Sequence, residues 1–212
     1  MELDHVFLLV ADEAEAERVA QAVGLRETYR RHHRGQGTQN LCCCLDDAFV
    51  ELLWIADEAE ARSPSIARTR LWERSRWRES MSCPFGFAWR GEANTAGVAT
   101  WRYTPPYLPD GMAIAIAEAS DDPAMPLAFA SPGREPPSAW LPSRRGELQR
   151  AVGLRRLDHL RLVAPRPLAP DIARIAQRLA IRVEAGAAWS LEVVVQRDDG
   201  GLHRFVLPTS PH

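Results

Sequence analysis

Lysine is absent from this 212-residue chain, so all 26 of its basic side chains are arginine. Either these arginines are a supply of anion-binding forks or they reflect an Ala- and Arg-rich proteome. Their even spread along the chain favours the second. A formal net charge of −2 gives no electrostatic footprint for nucleic acid. No apolar run approaches the roughly 20 residues needed to cross a bilayer, so no membrane partner is expected. Glu2 and Asp4 precede only a short apolar run, without a basic leader, and the expected compartment is the cytoplasm. Four cysteines, Cys42, Cys43, Cys44 and Cys83, do not have the spacing of a zinc site. On a strand, Cys42 and Cys44 share one face and Cys43 takes the other. They read as small apolar residues of a buried strand, the alternative being a redox or ligand role beside His33.

What is present is a 46% hydrophobic chain, long enough to bury a substantial core as one large domain or two packed halves. The tripeptide Leu-Asp-His opens an apolar run twice, at Leu3-Asp4-His5 and at Leu157-Asp158-His159. After the first copy, the pattern predicts a strand over 4–10 and a helix over 13–22 stopped by Gly24. Strands are then predicted over 25–31, 40–45 and 49–55, with Asp46-Asp47 as a hairpin turn. After the second copy come a strand, a helix over 170–180, and strands over 181–184, 191–196 and 202–207. Both segments thus read as βαβββ.

Between them, 57–81 is helical and polar, anchored by Leu71, Trp72 and Trp77. Strands are predicted over 85–89, 101–103 and 112–118, and 131–143 reads as a proline-rich connector. The expected fold is α+β, with paired βαβββ units forming a curved mixed sheet around an inserted middle section. The boundaries are 1–57 for the first unit, 58–150 for the insertion and 151–212 for the second unit, all in one compact domain.

The loop after the second predicted strand reads His33-Arg34-Gly35-Gln36-Gly37-Thr38-Gln39-Asn40, and a strand Phe49-Val50-Glu51-Leu52 follows it. Together with the duplicated βαβββ order, this resembles the glyoxalase-like domain proteins of the vicinal oxygen chelate superfamily. That superfamily includes glyoxalases and extradiol dioxygenases. The resemblance implies metal ligands on the first and last strands of each unit, which places them at His5, Glu51 and His159. The fourth position falls within 202–207, where no carboxylate stands and only His203 can coordinate. Zn²⁺, Mn²⁺ or Fe²⁺ would suit imidazole and carboxylate ligands, with open positions for substrate oxygens. The other reading of the two histidines is that they are hydrogen-bonded core residues. Glutathione enters by family analogy only.

Alternation along the strand predicts that His5 points inward and Asp4 away. His33 has the pKa range of a general acid or base, unless it is merely solvated in a glycine-rich hairpin, whereas His32 reads as exposed. Gly35 and Gly37 permit positive φ and would let the loop present amide N–H groups to a substrate oxygen, with Thr38 and Asn40 as further donors. Glu51, set in an apolar strand, is costly to bury without a partner, so it reads as a site residue or as the partner of an arginine. Trp101, Tyr103 and their aromatic neighbours either wall a substrate pocket or pack the added strands. Arg31 and Arg34 flank the loop, where they steer an anionic substrate or are simply solvated.

The candidate site is therefore His33 and Glu51 as catalytic residues, and Gly37, Thr38, Asn40, Trp101 and Tyr103 as substrate contacts. The expected function is a glyoxalase-like lyase, isomerase or dioxygenase-type enzyme acting on a small oxygenated metabolite. The alternative is a non-catalytic protein that sequesters a small molecule, or a module with a vestigial site. Exposed sheet edges make a homodimer an open expectation.

Overall fold

The computed structural model describes residues 1–208. The expected segment 151–212 therefore ends, at 209–212, outside the described residues. The first segment folds as β1 (Glu2–Leu9), α1 (Glu13–Ala22), β2 (Tyr29–His33), β3 (Thr38–Cys44) and β4 (Phe49–Ile55). Asp12 caps α1 by accepting the Glu15 N–H at 2.8 Å, and acidic residues fill its first turn. At the other end Gly24, at φ 72°, lets the chain turn back so that the Leu25 N–H reaches the Ala20 carbonyl. Ala16, Val19 and Ala20 form the buried stripe of the helix.

The polar helical stretch breaks into single turns, α2 (Glu58–Ala61), α3 (Pro64–Ala67) and α4 (Leu71–Ser75). Pro64 cannot continue a preceding helix, because it lacks the N–H, and instead starts α3. Arg74 is fully buried in α4 and donates to the backbone carbonyls of Ser120, Asp122, Pro123 and Met125. Burial pushes its guanidinium down to about 10, so it stays charged at neutral pH and ties α4 to that loop.

Next come β5 (Phe85–Arg90), β6 (Thr100–Tyr103), β7 (Ile114–Ala117) and β8 (Leu127–Ala130), then α5 (Pro142–Arg145). The last segment is β9 (Leu154–Ala164), α6 (Pro170–Arg178), β10 (Ile181–Ala185), β11 (Ser190–Arg197) and β12 (Leu202–Leu207).

The fold is mixed α+β, as expected, with curved mixed sheets. Which segments pair is the finding the sequence did not disclose. Eight strands form one sheet in the order β2-β3-β4-β1-β5-β8-β7-β6. Outward from the centre, β1-β4-β3-β2 is mirrored by β5-β8-β7-β6. In both halves the first strand runs parallel to the last, and β1 meets β5 antiparallel. The two halves are thus related by an approximate twofold axis through the β1–β5 junction.

The middle section, 58–150, is therefore the second half of the sheet and not an insertion into it. The segment beginning at the second Leu-Asp-His forms its own four-stranded sheet, in the order β10-β9-β11-β12. There the first strand lies beside the second and third, so the βαβββ element order recurs without the same pairing. Element order is a one-dimensional property, whereas pairing depends on long-range hydrogen bonds that it does not encode.

A 3-10 turn at Ala93–Ala96 replaces the crossover helix in the second half of the large sheet. The C-terminal helix α6 supplies cover there. Arg178 donates to the Thr95 carbonyl at 2.9 Å and Arg174 to the Gly97 carbonyl at 2.9 Å. Ile172, Ile175 and Ala176 of α6 are fully buried in one core with Val6, Leu8, Phe87 and Trp89 from the back of the large sheet. Each such isoleucine contributes roughly 1.5–3 kcal/mol of burial free energy. The front face is left to a second, smaller apolar cluster and a cavity.

Candidate functional site

Strand alternation sends His5 and Phe7 of β1, and Phe49, Glu51 and Leu53 of β4, into a front-face cavity of about 170 Å³. The site is built around a buried chain of charged groups. Arg90 donates to Asp4 Oδ1 at 3.0 Å and to the Asp47 carbonyl at 2.7 Å. The other oxygen of Asp4 lies 2.8 Å from His5 Nδ1, and His5 Nε2 faces Glu51 Oε2 at 3.3 Å. The second Glu51 oxygen accepts from Asn40 Nδ2, whose own Oδ1 accepts the Arg31 N–H at 2.9 Å. Every side chain in this chain is buried.

Burial by itself would raise the Asp4 carboxyl. The hydrogen bond and positive field from His5, together with Arg90 and Ser131, hold it below the ordinary carboxylate range. Asp4 was expected to point away from His5. A register shift between Leu3 and His5 in the β1–β5 ladder breaks the alternation, and both side chains reach the cavity. His5 is held between aromatic rings, stacked on Phe49 at 4.3 Å and edge-on to Phe129 at 5.5 Å. Asp4 and Arg90 escaped the sequence reading because one was assigned to the wrong face and the other ends a strand taken as inserted.

A second, neutral network comes from the loop after β2. The Tyr103 hydroxyl donates to Gln36 Oε1 at 2.8 Å, and Gln36 Nε2 donates to Thr38 Oγ1 at 2.8 Å. Thr38 Oγ1 also lies 2.9 Å from His33 Nδ1. Thr38 has one proton, and donating it to His33 Nδ1 puts the ring proton on Nε2. Burial pushes the His33 imidazole down to about 4 against the opposing pull of Glu51, so the ring is neutral at pH 7. The Tyr107 ring lies 4.6 Å from it, and burial raises the phenols of both Tyr103 and Tyr107, which keeps them as O–H donors.

The glycine loop does not work as expected. The Gly35 and Gly37 amides both donate to Glu60 Oε2, at 2.7 and 3.0 Å, so an internal carboxylate takes the place intended for substrate. At Gly37, with φ 75°, a Cβ would meet the Asp57 carbonyl at 2.2 Å; the glycine is required by close packing against α2. Thr38 stands behind His33, in contact with that ring. Trp101 packs beside Tyr103 and does not border the cavity.

His159 is not brought to the site. It lies half-buried on β9 in the smaller sheet and makes the same local bond as His5, to Asp158 at 2.7 Å. His203 bonds the Val23 carbonyl at 2.7 Å. The thiols of Cys42, Cys43, Cys44 and Cys83 are unpaired and buried; burial pushes those of Cys44 and Cys83 up to about 12, which suits packing and not redox work. The proline-rich connector, by contrast, borders the cavity through Ser131, Glu135 and Trp140, and Arg144 of α5 joins them.

The expected metal set does not fit. Across the sheet, Phe49, His5, Ala88 and Phe129 form one row, and Glu51, Phe7, Gly86 and Leu127 form the next. The twofold relation therefore matches His5 with Gly86 and Glu51 with Phe129. Neither counterpart can ligate a metal. The Phe7 ring fills the space over Gly86, where a Cβ would lie 2.1 Å from it. Among the described residues no group of three or more His, Cys, Asp or Glu side chains is arranged to hold a metal ion. Two donors, one of them already bonded to Asp4, fall short of the three that a catalytic site uses.

Residues 3–104 match the family model described as a glyoxalase-like domain. This stretch, a little under half of the chain, is similar to a glyoxalase-like domain. The matched span takes in β1 to β6, which includes His5, His33, Asn40, Glu51 and Arg90 and crosses the β1–β5 junction. The fold of the whole chain is similar to that of a hypothetical protein from Staphylococcus aureus. That match has a TM-score of 0.51 and 10% identity, covering 96% of this chain and 98% of the other. Methylmalonyl-CoA epimerase of Streptomyces coelicolor, in complex with 2-nitronate-propionyl-CoA, matches at 14% identity and TM-score 0.41. It covers 60% of this chain and 94% of its own. A mutant 4-hydroxymandelate synthase of the same organism matches at 14% identity and TM-score 0.45, over 97% of this chain and 62% of its own. Functionally curated proteins give no match. Among the described residues no helix is long and apolar enough to cross a membrane.

Proposed function

We propose that the glyoxalase-like domain is an enzyme acting on a small oxygenated metabolite, and that it works by proton transfer from the protein's own side chains. The observation that carries this reading is Glu51. It is a buried carboxylate on an apolar wall, held by Asn40 on one oxygen and His5 on the other, and it still borders the cavity. Such a group is costly to keep unless it has work to do there. In the proposed step Glu51 takes a proton from a carbon next to a substrate carbonyl. The C–H electron pair moves to the carbonyl oxygen, where the neutral His33 and Tyr107 are placed to donate hydrogen bonds. Return of the proton completes a redox-neutral isomerisation, epimerisation or tautomerisation. Arg90, Asp4 and His5 act as positioning residues for Glu51.

The test is hydrogen–deuterium exchange at the α-carbon of a panel of small ketones and 2-oxo acids in D₂O, followed by proton NMR. Wild-type protein should accelerate exchange for a subset of them, whether or not it has been dialysed against chelator. Glu51→Gln should abolish the acceleration. Chelator-sensitive exchange that zinc or manganese restores would sink the metal-free part of this reading. A second reading, sequestration without turnover, draws support from the aromatic mouth of Tyr29, Phe49 and Trp140, whose rings lie 6.0–6.4 Å apart. It requires ligand-induced thermal stabilisation with no exchange for any bound compound.

A further inference from the structure

We infer that the substrate of this site is a small carboxylate with an apolar body, its acid group held at the cavity mouth by Arg31 and Arg144. This deepens the proton-transfer reading of the same cavity and rests on it. Arg31 projects from β2, the edge strand of the large sheet, on the same face as Tyr29 two residues earlier. The short helix α5 places Arg144 with its guanidinium 3.8 Å from the Trp140 ring and 6.0 Å from that of Tyr29. Tyr29 thus shares a strand face with Arg31 and contacts Arg144, and all three border the cavity.

Arg144 stacks on Trp140, but among the described residues neither arginine is neutralised by an acid. Arg30, next in sequence to Arg31, is bound by Glu13, Glu17 and Glu27, and Arg90 deeper in the site is bound by Asp4. No ion pair of Arg31 or Arg144 occurs among the described residues. Both are exposed, so they remain open to a ligand. One acid, Glu135, shares the mouth, which leaves a net positive charge there.

Inward from β2 the cavity reaches Leu53 and Glu51 on β4, and beyond them the wall turns apolar through Leu127 and Phe129 of β8 and Ile116 of β7. A ligand that satisfies both ends needs an anionic head outside and an apolar body inside. The arginine fork favours a planar carboxylate, which it binds with two parallel hydrogen bonds. The like charge of Glu51 keeps that head at the mouth, so the body and its reactive carbon are the parts that reach the base.

The experiment compares phenylacetate with phenylacetamide, which has the same shape and no charge, by isothermal titration to 10 mM ligand. It uses the wild-type chain, Arg31→Gln/Arg144→Gln and Glu51→Gln. Wild-type protein should bind the acid at least roughly tenfold more tightly than the amide, and 0.5 M NaCl should narrow the gap. In the double variant the two ligands should bind within about threefold of each other, with the melting temperature unchanged because both arginines are exposed. Arg144→Lys, which keeps the charge without the fork, should retain an intermediate preference. The inference is overturned by equal wild-type affinity for acid and amide, by a preference that survives in the double variant, or by no binding of either probe. Glu51→Gln separates the two proposals. It should keep the acid–amide preference while losing deuterium exchange, so a preference without exchange in any variant defeats the proton-transfer reading alone.

Discussion

The two halves of the large sheet share one topology and differ in what they place on its front face. In the first half, β1 and β4 deliver His5 and Glu51 to the cavity. At the matching places in the second half, β5 and β8 deliver Gly86 and Phe129. Backbone symmetry has thus persisted where side-chain symmetry has not. The first half carries the polar chemistry, and the second supplies an apolar wall that dries it, stacking Phe129 against the His5 ring and leaving room at Gly86 for Phe7. A dry wall strengthens every electrostatic contact that Glu51 makes, which is a reason for one half to lose its polar groups while the other keeps them.

The largest expected effect comes from removing the charge on the polar side. Glu51→Gln should lower α-proton exchange by roughly 10²–10⁴-fold, measured by NMR, whereas Phe129→Leu in the matching place should lower it by less than about tenfold. Equal losses in the two variants would erase the proposed division of labour. Next, Arg90→Ala leaves Asp4 buried without its guanidinium and should destabilise the fold by about 3–5 kcal/mol in urea unfolding.

A pH effect follows from His33, whose folded-state pKa of about 4 lies below the unfolded value near 6.5. Between these values the unfolded chain binds a proton that the native state does not. Stability from this group is therefore complete above pH 6.5 and lost as pH falls toward 4, by at most about 3 kcal/mol. Thermal melts of wild type and His33→Gln from pH 7.5 to 4.5 should converge on the acidic side. The smallest effect is constructive. Phe129→Glu places a third donor opposite His5 and Glu51 and should create zinc-dependent thermal stabilisation that wild type lacks, of about 2–3 kcal/mol at a hundredfold excess over Kd. A variant that melts identically with and without zinc would argue against the twofold match of Phe129 with Glu51.

Much of the first half was legible in the sequence. The apolar run at Phe49–Ile55, bounded by an Asp-Asp turn and by Asp57, reads as a strand in one way only. The stripe of Val19 and Ala20 closed by Gly24 is an unambiguous helix. The cluster of His33, Asn40 and Glu51 was visible as a motif, and the structure brings all three to one cavity.

The remainder depended on information that local pattern lacks. The strand Leu127–Ala130 is only four residues long, follows Pro126 and shows no alternation, so its local pattern does not distinguish it from a loop and hides the second half of the sheet. The repeated Leu-Asp-His suggests two histidines brought to one site. It is a repeated local geometry, since both histidines bond the preceding aspartate, but one faces a cavity and the other the surface. A one-residue irregularity in β1 was enough to put Asp4 on the unexpected side. The Glu60 contact to the loop amides is a meeting of segments 23–25 residues apart, which no motif announces.

The use of α6 as cover for the back of the large sheet has a consequence for biosynthesis. The core that joins Val6 and Leu8 to Ile172 and Ile175 connects the first strand made to one of the last helices made. As the chain leaves the ribosome, the eight-stranded sheet can pair while its rear surface still lacks the final segment, and a wide apolar face stays wet until synthesis ends. Such a face is a target for chaperones and for sticking to neighbouring chains. A premature stop shortly after residue 150 would therefore leave every residue that lines the cavity on a polypeptide whose rear apolar face is uncovered.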